Sequence, residues 1–151
     1  MTDTVLMSGC CFALLLVTTG MHYEALRGLN LGVERLIAAS RARLVVVVLS
    51  LFGVHVAEVV VYAAAFYLLT RHAGMGGLGA SGPPSFSVAM YFSLETYSSL
   101  GYGDVVPSGA LRMMAGAEAL NGLLLIGWSA SYAHIAMERF WQDGGQRPPS
   151  A

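Results

Sequence analysis

The run Ser98-Ser99-Leu100-Gly101-Tyr102-Gly103-Asp104 holds the residue types best suited to chemistry in this 151-residue chain. Glycine permits positive φ, so Gly101 and Gly103 on either side of Tyr102 allow successive backbone carbonyls to face one axis. Carbonyls ordered in that way replace the water shell of a desolvated cation. Those of Ser99, Leu100, Gly101 and Tyr102 would line the axis, and the Ser99 hydroxyl would add the innermost oxygens. One chain supplies one wall, so four chains are expected around the axis.

Further polar groups interrupt apolar stretches: His55, Glu58, Glu118 and Asn121. Ionisable residues in a membrane span are rare and face protein or water. His55 and Glu58 are three apart, hence on one helix face, and are expected to bond the first or last span. A metal centre needs more ligands than that pair. Glu118 is expected to support the back of the loop. His134 and Glu138, near the inner end of the last span, are candidates for a proton sensor. Cys10 and Cys11 are neighbours and read as free buried thiols.

The elements that must position these groups are those of a membrane protein. The chain is 56% hydrophobic and 11% charged, with a mean hydropathy of +0.62, against about 25% charged residues in soluble domains. Residues 5–21, 44–69 and 113–137 are long enough to span. Residues 86–98 are apolar and aromatic but too short, the length of a re-entrant half-helix. Gly82-Pro83-Pro84 must break any helix before it, Ser85 or Ser87 offers a cap, and Pro107-Ser108-Gly109 breaks the chain again. The mixed stretch 25–42 reads as an interfacial helix on the cytoplasmic leaflet. The expected order is therefore an N-terminal span (1–22), a cytoplasmic linker helix (23–43), a pore domain (44–138) and a short tail (139–151). Within the pore domain lie an outer helix (44–70), a pore helix (86–98), the loop (99–104) and an inner helix (111–138).

All eight basic residues are Arg. Arg27, Arg35, Arg41, Arg43, Arg139 and Arg147 fall on one side of the spans, with Arg71 and Arg112 on the other. The positive-inside rule then puts the N-terminus and the loop mouth outside and the C-terminus in the cytoplasm. The net charge of −1 says nothing about partners. No basic patch with interleaved aromatics argues for nucleic acid, no nucleophile–base pair argues for an enzyme, and no cofactor is expected. No span carries the regularly spaced arginines of a voltage sensor, and no soluble regulatory partner is evident.

The segment from Ala89 to Asp104 resembles the pore loop of potassium channels, and is most similar to the pore-only bacterial type, with an extra N-terminal span. The resemblance covers about residues 44–137. It implies an all-α membrane protein, a homotetramer in the lipid of a bacterial inner membrane, with K+ as permeant ion. It implies a carboxyl pair, Glu95 and Asp104, behind the filter. Two carboxyls in one poorly solvated site cannot both ionise cheaply, so Glu95 is expected to hold a proton and the pair to set inactivation. Tyr91, Phe92 and Ser98 would support the filter. Gly122 would be the hinge of the inner helix and Gly127 a second small position, with Leu123, Ile126 and Ala130 facing the cavity. Ser98-Ser99 stands where the family has Thr-Thr, Leu100 where it has Val, and Phe92 where it has a Trp that braces the filter tyrosine. These departures admit a weakly selective monovalent cation channel, or a non-conducting pore-like subunit, as alternatives.

Overall fold

The computed structural model describes residues 2–36, 40–79 and 83–145. Among them the chain folds as α1 (Thr2–Leu36), α2 (Ser40–Leu68), α3 (Phe86–Tyr97) and α4 (Leu111–Gly145). A π turn, Leu69–Ala73, prolongs α2. Thr70 Oγ1 donates there to the carbonyls of Phe66 and Tyr67, and Gly74 ends the helix with φ of 60°.

Helix α1 buries Met7, Cys11, Thr18, His22 and Leu26. These positions recur at helical spacing and make one stripe along the rod. The opposite face exposes Val5, Phe12, Leu16, Val17 and Tyr23, an apolar surface suited to lipid. The stripe does not stop at residue 22. Residues 23–36, expected to belong to a separate interfacial helix, continue α1 without a break as far as Leu36. The reason is where the charges fall. Glu24 and Arg27 pair with each other on the exposed side, leaving Leu26 free to pack with Val47, Leu51 and Ala136. Of the rest of the expected linker, 37–39 lie outside the described residues and 40–43 open α2, which therefore starts four residues before the expected outer helix.

Helices α1 and α2 are long and apolar enough to cross a membrane. At 35 residues α4 matches α1 in length, but Glu118, Asn121 and Ser129 lie buried along it and lower its apolarity. The main core joins all four helices through Met7, Tyr62, Phe66, Phe92, Tyr97 and Met114. Phe66 and Phe92 meet edge to face at 5.0 Å, a favoured aromatic geometry. Asn121 Nδ2 donates to Thr18 Oγ1 at 2.7 Å and to the Tyr62 hydroxyl at 3.2 Å, tying α4 to α1 and α2.

Candidate functional site: the re-entrant loop

The loop is held at its start by a short helix and at its end by a backbone clamp. Ser85, with extended backbone, caps α3 by accepting from the Val88 N–H, as expected of one of the two serines. The helix ends at Tyr97, where Ser98 turns its N–H and its hydroxyl onto the Leu94 carbonyl. Beyond the loop, Gly79 N–H donates to Val106 O, Ser108 N–H to Gly77 O and Ala110 N–H to Met75 O. Those bonds fix the outgoing strand against the glycine-rich linker.

Between these two anchors the backbone reverses handedness at every second residue. Ser99, Gly101 and Gly103 have φ of 58°, 55° and 81°, whereas Leu100 and Tyr102 have none of this positive character. The sequence points to the two glycines. Ser99 joins them at a conformation that costs a non-glycine residue ~1 kcal/mol or more.

Three consecutive loop N–H groups share one target. Leu100 N–H and Gly101 N–H donate to the Glu95 carbonyl at 2.9 and 3.2 Å, and Tyr102 N–H donates to Glu95 Oε2 at 3.2 Å. In a trans peptide the carbonyl points opposite to the N–H that follows it. The carbonyls of Ser99, Leu100 and Gly101 are therefore turned away from Glu95, on the face where residues 99–104 are exposed. Glu95 itself is only 3% exposed. It acts as the floor against which the loop is pinned.

Asp104 has a different partner. It is exposed, and both its carboxylate oxygens accept from the Tyr91 hydroxyl at 3.1 Å. No hydrogen bond joins Glu95 to Asp104, so within this chain the expected carboxyl pair is two separately bonded groups. Desolvation, and after it the bond to Asp104, raises the Tyr91 phenol above its ordinary value, which keeps the hydroxyl a donor. Phe92 is buried against Phe66, while Tyr102 is 71% exposed and takes no side-chain bond from Phe92.

Behind the loop, α4 carries the next expected residues. Gly122 is buried where α4 crosses the end of α3, and a Cβ there would lie 2.2 Å from the Tyr97 carbonyl oxygen. The helix is continuous through it. Gly122 thus serves close approach of two backbones in this conformation. Gly127 has open space around it. Leu123, Ile126 and Ala130 are all exposed on this chain.

The polar residues within the helices find partners. Glu118 accepts from the Ser93 hydroxyl, which also reaches the Val59 carbonyl, so the buried carboxyl rests on the middle of α3. Its Oε2 is buried without a partner. His55 and Glu58 reach the first and last helices as expected, through His22 and Ser129, and they also bond Tyr97. His22, Thr18, Tyr62 and Ser129 escaped the sequence reading. Thr18 and His22, polar and four apart in an apolar span, were the available signal. His134 and Glu138 form an exposed pair at 3.6 Å.

A family model described as an ion channel matches residues 54–139, from the middle of α2 to the far part of α4. The chain belongs to this ion channel family. No curated protein and no solved structure matches it. The match contains α3 and the loop, and α1 lies upstream of it.

Proposed function

We propose that the protein is a potassium-selective channel, four copies surrounding one axis, with α1, α2 and α4 spanning the bacterial inner membrane. The observation that carries this reading is the loop backbone. Its N–H groups are gathered onto Glu95, leaving the carbonyls of Ser99, Leu100 and Gly101 on the opposite, exposed face. Four such walls would surround K+ with oxygens in place of water. The Tyr102 carbonyl and the Ser99 hydroxyl complete the ligand set. The C-terminus of α3, with its partial negative charge, immediately precedes the loop in the chain, a placement that favours a cation beside it. The exposed face of α4 that carries Leu123, Ile126 and Ala130 would line the cavity below the filter. The arginine distribution opens the filter to the outside. The ions move down their gradient with no covalent chemistry and no cofactor. Lipid and further copies of the chain are the partners.

A second reading, a weakly selective monovalent cation channel, draws on one observation. Phe92 lies against Phe66 and offers Tyr102 no hydrogen bond, so the Tyr102 side chain lacks a brace from Phe92. Flux from liposomes loaded with K+, with Na+ as competitor and Ba2+ as blocker, separates the readings. Flux that K+ supports, Na+ does not and Ba2+ blocks is the expected result. Equal Na+ flux favours weak selectivity, and silence from tetrameric protein at neutral and acid pH refutes both.

A further inference from the structure

Away from the loop, polar side chains from all four helices meet inside the bundle. His22 Nδ1 lies 3.0 Å from Glu58 Oε1, and His55 Nδ1 lies 3.1 Å from Glu58 Oε2. The Tyr97 hydroxyl bonds Glu58 Oε2 and is 2.8 Å from His55 Nδ1. One ligand atom from each of His22, His55 and Glu58 falls within 4.8 Å of the other two. The side chains of His22 and Glu58 are fully buried, while that of His55 is 19% exposed.

The far side of the cluster constrains where the protons sit. Nε2 of both imidazoles faces one hydroxyl, Ser129 Oγ, at 2.9 Å from His55 and 3.3 Å from His22. If two neutral rings both donate from Nδ1 to Glu58, both Nε2 atoms need a donor, and the Ser129 hydroxyl has one proton to give. With the tautomers reversed, both Nε2–H groups donate to Ser129 Oγ, whose two lone pairs accept them. Two Nδ1 lone pairs and a carboxylate then converge with the Tyr97 O–H as the one proton beside them, a set able to hold a cation.

We infer that His22, His55 and Glu58 bind a Zn2+-type divalent cation through both Nδ1 atoms and the Glu58 carboxylate, with the Tyr97 hydroxyl beside the fourth position. Two imidazoles and a carboxylate are a zinc donor set, with bonds of about 2.0–2.2 Å. A tetrahedral ion with such bonds holds its ligand atoms roughly 3.3 Å apart, between the 3.0 Å of the shortest donor separation and the 4.8 Å outer limit. Mg2+ and Ca2+ favour oxygen-rich sites and fit poorly. Ser129 supplies the outer partner that fixes the tautomer of ligating histidines. The partly exposed edge of His55 gives an ion its access.

The His55–Glu58 pair alone lacks a third ligand, and α1 provides it from outside the family match. An ion there clasps α1 to α2 and rests on Tyr97, the last residue of the pore helix, two positions before Ser99. Occupancy of the site therefore bears on the filter.

The test is a Co2+ titration of the purified full-length protein in detergent, followed by its visible d–d absorption, with Zn2+ as displacing ion and metal analysis for stoichiometry. One ion per chain with tetrahedral or five-coordinate cobalt bands is expected. His22→Ala and Glu58→Gln should abolish the bands, and Ser129→Ala should weaken Zn2+ affinity ~10–100-fold at unchanged stoichiometry. A variant lacking the exposed His72 and His134 should bind as the parent does. Absence of bands in the parent protein, or equal uptake by His22→Ala, overturns the assignment. The parent spectrum decides even if the variants fail to fold. Because the optical readout needs no flux, a protein that is silent when metal-free and still binds Co2+ refutes the channel reading and leaves this site standing.

Discussion

Gly122→Ala separates two roles for one residue by the sign of a stability change. If Gly122 were present only to let α4 bend, alanine would be the better helix former and would stabilise the folded chain by ~1 kcal/mol. The structure says otherwise. An added Cβ would lie 2.2 Å from the Tyr97 carbonyl oxygen and 3.0 Å from the Tyr97 carbonyl carbon and Cγ. Ordinary contact begins near 3.4 Å, so α4 and the end of α3 must separate by about 1 Å, and backbone cannot rotate away as a side chain can. Overpacking of this kind costs ~1–3 kcal/mol, and a backbone obstacle places it toward the upper end. After the helix-propensity gain, a net loss of ~2 kcal/mol remains. Gly127→Ala is the internal control, since nothing lies within 4 Å of its Cβ position. Thermal unfolding of the purified variants in detergent should show Gly122→Ala melting below the parent and Gly127→Ala at or above it. A Gly122→Ala protein as stable as Gly127→Ala would refute the close-approach reasoning and restore the hinge.

Gly101→Ala puts a side chain at φ of 55°, which costs ~1–2 kcal/mol, and should abolish flux while leaving assembly, read by crosslinking, intact. Glu95→Ala removes the acceptor of the Tyr102 N–H. With water unable to replace it fully, the loop loses ~1–3 kcal/mol of support, and single-channel recording should show faster inactivation. Asn121→Leu breaks the bonds to Thr18 and Tyr62. A loss of about 0.6–1.7 kcal/mol is expected for a polar contact between membrane helices, with proteolysis of α1 becoming faster than that of the remaining helices.

The loop and its helix were legible because their chemistry demands uncommon residues. Glycine on both sides of Tyr102, proline before Ser85 and a 12-residue apolar stretch leave few other structures. The start of α4 at Leu111 and the end of α3 within a residue of expectation follow from the same breaks, whereas α4 runs past its expected end at 138 to Gly145, into the expected tail. The positive φ at Ser99 was not legible, because the neighbouring N–H groups impose it through Glu95 and not through serine's own preference. The continuity of α1 was hidden for a related reason. Its charges count as interfacial in a one-dimensional reading, yet Glu24 and Arg27 satisfy each other on the outer face.

Partners distant in sequence explain the remaining difference, and they bear on what α1 is for. A helix serving only as an anchor needs no polar residue at mid-span, where each such group adds cost in lipid. In α1, Thr18 accepts from Asn121 of α4, and His22 meets Glu58 of α2 and Ser129 of α4. Glu58 in turn bonds Tyr97, from which the chain enters the loop. Removing α1 would leave Asn121 with one of its two partners and Glu58 with one histidine fewer, and a buried polar group that loses its partner is costly. The residues matched by the channel family are therefore not self-sufficient in this protein. Their buried polar groups are completed by a helix outside the match, so α1 packs as part of the same bundle.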